Sequence, residues 1–290
     1  TGTPARQSPG VYRRRIGDAL VTVINDGFLD MPMAILRGAT KEEMAGLLAD
    51  AFGPPEPRIT VNAFVVETER NTILVDAGGG STTVYSMGLL PENLAAAGFR
   101  PKDIDLILLT HIHPDHSSGL MDKDGSAMFP RADVVVHEDD FTFWSDAGLR
   151  DGRSAAAMPY LDSADMVLKT YEGRFRRTNG GEVAPGVTQL HLPGHTPGHS
   201  GYRIDSAGQT LVMWGDTVHV PELQVPRPGV TSEYDVSQPL AVESRRKIFD
   251  HVASERLLVT GGHVHLPGFA HVVRAGEGYR LVPEPWAVTI

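Results

Sequence analysis

Residues 111–116, with the sequence His-Ile-His-Pro-Asp-His, constrain this chain more than any other segment. They place three imidazoles and one carboxylate directly after the apolar stretch 104–110, which the pattern predicts to be a buried strand. Because His111 and His113 alternate with an isoleucine, an extended backbone points both imidazoles to the same side. The proline turns the chain and can aim the next carboxylate and imidazole at an adjacent ion. The segment therefore predicts a strand that ends in a loop of metal ligands.

The charge balance and the lack of cysteine limit the partners of the chain. Its 290 residues carry 26 Lys and Arg against 36 Asp and Glu, a formal net charge of −10, which disfavours nucleic acid as a partner. Without cysteine no thiolate can serve as a metal ligand or nucleophile, and a cytoplasmic and a periplasmic or secreted location both stay open. No stretch of 18 apolar residues occurs, so we expect no membrane-spanning segment and no membrane partner.

We predict a single domain over residues 1–290, because no repeat, long linker or low-complexity block interrupts the sequence. Residues 1–10 are expected to form a flexible lead. The chain begins at Thr1 rather than at Met, so we expect that a leader or tag has been removed or that further residues precede it.

Hydrophobic patterns predict strands that precede and alternate with helices. Segment 25–27 is predicted to be a turn, and Thr40 to open a helix with a capping box. This alternation favours a mixed α/β fold in which one sheet packs on another with helices outside. Strands are predicted at 19–24, 62–67, 72–76, 104–110, 133–136, 187–192, 201–204, 210–214 and 256–259, and helices at 41–51, 91–97 and 240–252.

Three further strand ends carry candidate ligands. His195 lies in a Pro-Gly-His-Thr-Pro-Gly-His turn after strand 187–192, and Asp216 follows strand 210–214. His263 comes after Gly-Gly at the end of strand 256–259, and His265 is its rival for this late ligand position. Loops at strand ends are where ligands gather in such folds.

These positions supply five imidazoles and two carboxylates, which can satisfy two divalent cations and leave coordination positions for water and substrate. Two ions roughly 3.5–4 Å apart can share a water and lower its pKa to about 7. The resulting hydroxide can attack a carbonyl or phosphoryl centre, so no serine or cysteine nucleophile is required. Nitrogen and oxygen ligands suit Zn, Mn, Fe or Co.

The order of these motifs resembles that of the metallo-β-lactamase-fold hydrolases, over residue 19 to about residue 273. The resemblance implies an αββα sandwich, two mixed β-sheets flanked by helices, with two metal ions, Zn above all. It also implies a homodimer. Asp76 is expected to orient the ligand loop without binding metal. The resemblance assigns one ion to His111, His113 and His195, the other to Asp115, His116 and His263, and a bridging role to Asp216.

Individual residues separate the branches of this family. The absent cysteine excludes the β-lactamases that use a thiolate ligand. The other binuclear β-lactamases lack a bridging aspartate, so Asp216 disfavours them as well. Only 27 residues follow His263, so we expect no helical domain of the glyoxalase II type. Acyl-homoserine lactonases resemble the chain more closely but place a tyrosine where His219 stands. Segments 214–219, 263–272 and 278–283 are most similar to the methyl parathion hydrolase group.

That resemblance implies a substrate pocket with an aromatic lining. Trp144 matches the group's tryptophan position; the alternative is that it is an ordinary core aromatic on a helix. Phe64 and His219 are further pocket candidates. We expect a hydrolase in which Asp115 and Asp216 hold the catalytic centre around a bridging hydroxide. Its substrates would be small hydrophobic aryl esters, lactones or phosphotriesters. The alternative is an oxidoreductase of the persulfide dioxygenase branch, which resembles this motif set but binds one iron.

Overall fold

The computed structural model describes residues 7–80, 86–151 and 157–290 of the chain. Sixteen strands are described in this part of the chain, and most of them are short. They are β1 (Val11–Ile16), β2 (Ala19–Asp30), β3 (Leu36–Arg37), β4 (Arg58–Glu67), β5 (Thr72–Val75), β6 (Leu106–Leu108), β7 (Asp133–His137), β8 (Phe175–Thr178), β9 (Gly181–Ala184), β10 (Val187–His191), β11 (Ser200–Ser206), β12 (Gln209–Met213), β13 (Thr231–Ser232), β14 (Leu258–Thr260), β15 (Ala270–Ala275) and β16 (Gly278–Pro283).

Seven α-helices are described in the same ranges. The first begins after Thr40, whose hydroxyl accepts a hydrogen bond from the Glu43 N–H, as the predicted cap requires. The helices are α1 (Lys41–Asp50), α2 (Leu90–Ala96), α3 (Pro114–Ser117), α4 (Glu138–Ser145), α5 (Met158–Thr170), α6 (Pro221–Gln224) and α7 (Gln238–Ser254).

The strands form two large mixed sheets. The first has the order β1-β2-β4-β5-β6-β7-β8 and the second the order β16-β15-β14-β12-β11-β10-β9. In the first sheet β5 to β8 run parallel, and in the second β12 pairs parallel with β14. The short strands β3 and β13 form a separate antiparallel pair.

Side-chain alternation along the strands divides the core into layers. On β6, Leu106 and Leu108 point into the core between the two sheets, whereas Ile107 points outward to a core shared with α2 and α5. On the second sheet, Val212 of β12, Val259 of β14 and Val272 of β15 pack outward in one cluster with Phe249 of α7. The layers are therefore helix, sheet, sheet and helix, and the predicted αββα sandwich is confirmed.

The predicted turn at residues 25–27 is wrong, because β2 continues through this segment to Asp30 with a bulge. The Asn25 side chain spans the bulge by donating to the Gly27 and Val61 carbonyls, both at 3.1 Å. Gly27 has a φ of 131°, and a Cβ there would lie 1.9 Å from the Ser86 carbonyl oxygen. The Asn-Asp-Gly sequence thus codes for a bulge that needs glycine, not for a chain reversal.

The structure also bears on the predicted flexible lead and on the expected lack of a membrane-spanning segment. Residues 1–6 of the predicted flexible lead lie outside the described residues, and the Gly10 carbonyl accepts a hydrogen bond from the Asn25 N–H at 2.8 Å. The far end of the lead is therefore joined to β2. Within the described ranges no helix combines the length and apolar character needed to cross a bilayer.

Strand direction brings the predicted ligand loops together. Antiparallel β11 separates β10 from β12, and β12 runs parallel to β14, so the carboxyl ends of β10, β12 and β14 share one edge of the second sheet. A backbone hydrogen bond of 2.8 Å from Ser200 to the Thr110 carbonyl joins this edge to the loop after β6. All the ligand loops therefore meet where the two sheets adjoin.

Tyr202→Phe should lower the free energy of unfolding by about 1–2 kcal/mol, because the buried Tyr202 hydroxyl donates to the Leu109 carbonyl across the sheets at 2.7 Å. The phenylalanine keeps the ring but leaves a buried carbonyl without that donor. Urea unfolding of the metal-stripped proteins measures the change. Tyr12→Phe is the control, since its hydroxyl accepts from an exposed N–H, and an equal loss in both variants would contradict the prediction.

Candidate metal centre

Three imidazole nitrogens face one another at the joined edge of the sheets. His111 Nε2 lies 3.0 Å from His113 Nδ1, which lies 2.8 Å from His195 Nε2; the third side of the triangle is 3.2 Å. A tetrahedral metal with bonds of about 2.05 Å to nitrogen separates its ligands by roughly 3.3 Å. We call these residues the imidazole cluster, and their spacing is close to that of a metal site.

Asp115, His116, Asp216 and His263 form a second group, here called the mixed cluster. Asp216 Oδ1 lies 3.1 Å from His116 Nε2, and its Oδ2 lies 3.1 Å from His263 Nε2. Asp216 Oδ2 is also 3.5 Å from His195 Nε2 of the imidazole cluster. Asp216 therefore stands between the two clusters, where a carboxylate can contact both ions.

In three of these histidines the second ring nitrogen is held by a group that accepts a hydrogen bond. His195 Nδ1 lies 2.9 Å from Asp235, His116 Nδ1 lies 2.9 Å from Asp76, and His263 Nδ1 lies 2.7 Å from the Thr60 carbonyl. Because carboxylates and carbonyls accept only, each Nδ1 carries a proton, and Nε2 is the nitrogen that would present a lone pair to a bound cation. This is the arrangement that metal-binding histidines need.

His111 follows the same rule through a longer chain of contacts. The Thr110 hydroxyl lies 2.9 Å from Asp76 Oδ2 and donates to it, so it accepts from His111 Nδ1 at 3.0 Å. Asp76 also accepts from the Thr110 N–H at 2.8 Å. The structure thus places Asp76 behind the ligand loop, where the sequence predicted an orienting carboxylate.

Orphaned polar atoms indicate what the clusters are built to hold. Among the described residues, His116 Nε2 and Asp216 Oδ1 are buried without a hydrogen-bond partner, although they lie 3.1 Å apart. Burying such atoms unpaired is costly unless a cation contacts them. The donor set of neutral imidazoles and carboxylates fits two divalent cations of the Zn, Mn, Fe or Co type.

Electrostatics favour positive charge in the mixed cluster. Burial opposes ionisation of Asp115 and Asp216, but the facing imidazoles outweigh it and lower the pKa of both carboxyls. Burial likewise disfavours protonated His116, yet Asp216 and Asp115 outweigh it and raise its pKa. In the imidazole cluster burial dominates and lowers the pKa of His111 and His113. The two carboxylates therefore stay ionised beside neutral His111 and His113.

The other predicted histidines take distinct places. His199 Nε2 accepts from the Asp216 N–H at 2.9 Å, so it shapes the turn and binds no metal in this arrangement. His265 points away and pairs with Glu222 at 3.0 Å. His219 Nε2 lies 3.3 Å from Asp216 Oδ2, and the His219 ring lies beside that of His195. It lines a small cavity that is bordered by residues of both clusters and is here called the cavity over the metal centre.

Glycine before His263 has a steric reason. A Cβ at Gly262 would lie 2.9 Å from His116 Cε1, so a side chain there would displace a ring of the mixed cluster. The Gly262 carbonyl also accepts from the Asn62 N–H at 2.8 Å, which ties the loop to β4.

A cavity of about 500 Å³ opens beside the imidazole cluster. Trp144 lines it and meets the His113 ring edge-on at 5.3 Å, while the rest of the indole packs in the outer core. The assignment of Phe64 to the pocket is wrong: β4 turns this side chain into the core between the sheets, where it is 2% exposed. Residues 63–66 are all apolar and both faces of β4 are buried here, so the sequence offers no alternation that separates the two faces.

Three residues of the site escaped sequence reasoning. Asp235 orients His195 from the loop after β13, and Tyr160 and Tyr234 line the cavity over the metal centre. None of them lies in a motif, and each reaches the site only through tertiary packing.

A further group of possible ligands lies apart from the two clusters. It consists of buried His137 and exposed Asp139 and His191, whose ligand atoms lie within 4.8 Å of one another, and the two imidazole rings stack with centroids 4.0 Å apart.

Comparison with known proteins identifies the family of this two-cluster metal protein. Residues 57–263 match the model of the metallo-beta-lactamase superfamily. The chain belongs to this superfamily and is a metal-dependent hydrolase with lactonase relatives. An N-acyl homoserine lactonase of Bacillus sp is 28% identical over 251 residues, which cover 78% of this chain and 86% of that protein.

Two solved structures share the whole fold. The structure described as hydrolase AbOPH in the beta lactamase superfamily superposes with a TM-score of 0.92 at 30% identity, covering 97% of this chain and 100% of that one. The structure of AidC, described as a dizinc quorum-quenching lactonase in complex with a product, gives a TM-score of 0.89 at 23% identity and covers 96% and 99%.

His263→Ala should lower the metal content below that of the unaltered protein, because it removes one nitrogen of the mixed cluster. His265→Ala is a matched control two residues away, since His265 pairs with Glu222 outside the cluster. Elemental analysis after dialysis measures metal per chain. Equal metal loss in both variants, or none in His263→Ala, would contradict the ligand assignment.

Proposed function

We propose that the protein hydrolyses neutral, hydrophobic lactones of the N-acyl homoserine lactone class. The observation that carries this proposal is the cavity next to His113, which has an apolar and aromatic side. A lactone ring placed at the two clusters would send its acyl chain along this side. It includes Ile35, Phe143, Trp144, Leu149, Tyr160 and Leu161, whereas Glu233 and Asp235 line the polar side.

Charge around the site suits an uncharged substrate. Asp115 and Asp216 line the cavity over the metal centre, and the facing imidazoles lower the pKa of both carboxyls against the effect of burial. Asp235 lines the cavity beside His113; burial raises its pKa, but His195 outweighs burial and lowers it. Two divalent cations would nearly balance these three carboxylates, so little net charge would be left for an ionic substrate. A lactone is neutral and gains from burial of its apolar chain.

Two bound divalent cations would supply an activated water and polarise the ester carbonyl. The chain positions the substrate around them. Burial, with a hydrogen bond to Tyr234, raises the pKa of Tyr160, so its phenol keeps a proton that it can donate to a substrate oxygen. Asp115 is the partly exposed member of the mixed cluster and faces the cavity where that oxygen would lie.

The relatives support the lactone class. The alignment with the N-acyl homoserine lactonase of Bacillus sp covers most of both proteins. AidC is described in complex with the product N-hexanoyl-L-homoserine. His219 stands where the sequence resemblance expects the lactonase tyrosine. Tyr160 and Tyr234 bring phenol hydroxyls to the same cavity from other elements.

Aryl esters and phosphotriesters are a second candidate class, favoured by the aromatic side of the cavity. Trp144 meets both His113 and Phe143 edge-on at 5.3 Å, which leaves an aromatic wall for an aryl leaving group. The oxidoreductase alternative with one iron is not favoured, since the imidazole cluster and the mixed cluster adjoin and together offer ligands for two ions.

We expect the protein carrying two metals per chain to open N-acyl homoserine lactones, with KM falling as the acyl chain lengthens and the cavity fills. A pH-stat assay over C4 to C12 chains measures ring opening, with an aryl ester and a phosphotriester in parallel. Activity on the aryl substrates alone would move the function to the second class. Full metal content without lactone hydrolysis would contradict the proposal.

Trp144→Leu should raise KM for a long-chain lactone by roughly tenfold, since losing about 1.4 kcal/mol of contact weakens binding tenfold. Short-chain lactones should change little, and metal content should stay as in the unaltered protein. Phe141→Leu on the same helix is the control, because this ring packs against Phe175 away from the cavity. Equal effects on short and long chains would count against Trp144 as a chain-contacting residue.

A further inference from the structure

We propose that Asp140 is a positioning residue which builds the imidazole cluster by joining its two ligand loops to one carboxylate. Asp140 lies in the first turn of α4 and is 0% exposed. The proposal concerns how the chain holds its metal and does not depend on the substrate proposed above.

One oxygen of Asp140 fixes the loop after β6. Oδ2 accepts a hydrogen bond from the Ile112 N–H at 2.8 Å. Ile112 is the residue between His111 and His113, and its own side chain is buried in the outer core. The bond therefore sets the backbone from which two rings of the imidazole cluster extend.

The other oxygen fixes the loop after β10. Oδ1 accepts from the Thr196 hydroxyl, and the Gly198 N–H also donates to this carboxylate. Thr196 is 0% exposed and directly follows His195, the third member of the cluster. A Cβ at Gly198 would lie 2.2 Å from the Asp140 nitrogen, so the turn can approach α4 only with glycine there.

This tie matters because the imidazole cluster is assembled from both sheets. Two sides of its triangle, 2.8 and 3.2 Å, run between the two loops and would change with any shift of one loop against the other. Metal–ligand bonds tolerate about 0.2 Å. The two histidines of the mixed cluster, His116 and His263, are held by Asp76 and the Thr60 carbonyl and make no hydrogen bond to Asp140, so the effect of Asp140 should be selective.

The test measures the affinity of both metal equivalents by chelator competition, using Zn²⁺ on the full-length metal-stripped protein. Asp140→Asn and Thr196→Val should weaken one equivalent by about 10- to 100-fold and leave the other unchanged. Thr196→Ser keeps the hydroxyl and should bind both as the unaltered protein does. Glu138→Gln is the matched control, because Glu138 shares the first turn of α4 but pairs with Arg177.

Thermal unfolding of the metal-stripped variants separates positioning from general stability. Equal weakening of both equivalents, or no weakening in Thr196→Val, would overturn the proposal. If Asp140→Asn does not fold, the Thr196→Val and Thr196→Ser pair decides, and identical affinities for the two would also overturn it. Lactones left intact by a protein with both equivalents bound would contradict the proposed function without touching this one.

Discussion

Four of the five histidines at the two clusters have a hydrogen bond on the ring nitrogen that faces away from the cluster, and the site depends on these bonds. Asp235, Asp76 and the Thr60 carbonyl accept from Nδ1 of three histidines, which leaves Nε2 with a lone pair. Exchanging the tautomers would turn those lone pairs into N–H groups pointing at one another. The orienting groups are therefore as necessary as the ligands themselves.

These bonds require partners from both halves of the chain at fixed distances, and the fold supplies them. Asp76 ends β5 beside the loop after β6, because the two strands run parallel and in register from Ile73 opposite Leu106. Asp235 reaches His195 from a loop in the second half, and Thr60 reaches His263 from β4 of the first sheet. Two packed sheets with parallel central strands bring loops distant in sequence to one edge.

The sequence predicted those parts of the site that local patterns encode. His111, His113 and the later strand ends were recognisable because each ligand follows an apolar strand. Gly262 marked His263 over His265, and the steric contact with His116 now explains why. Thr40 was recognisable as a helix cap from its own neighbours.

What could not be predicted depends on contacts between distant segments. Asp235 has no motif around it, and its role follows from where the loop after β13 lies. Phe64 was placed in the pocket from resemblance, although the pleat of β4 turns it into the core. Asn25 to Gly27 reads locally as a turn, yet pairing with β4 continues through this segment to Asp30 and makes a bulged strand the better solution.

The two clusters differ in charge and in exposure, and this difference affects which substrates the site can accept. The imidazole cluster contains no carboxylate and borders the cavity beside His113, where Trp144 meets the His113 ring, whereas the mixed cluster holds the carboxylates and faces the cavity over the metal centre through Asp115. A substrate oxygen would therefore meet the metal centre from the Asp115 side, with Tyr160 at the same cavity and the cavity next to His113 beside it. An ester whose reacting carbonyl and apolar chain diverge from one carbon would fit both regions at once, and this is the shape of the acyl-substituted lactone proposed as substrate.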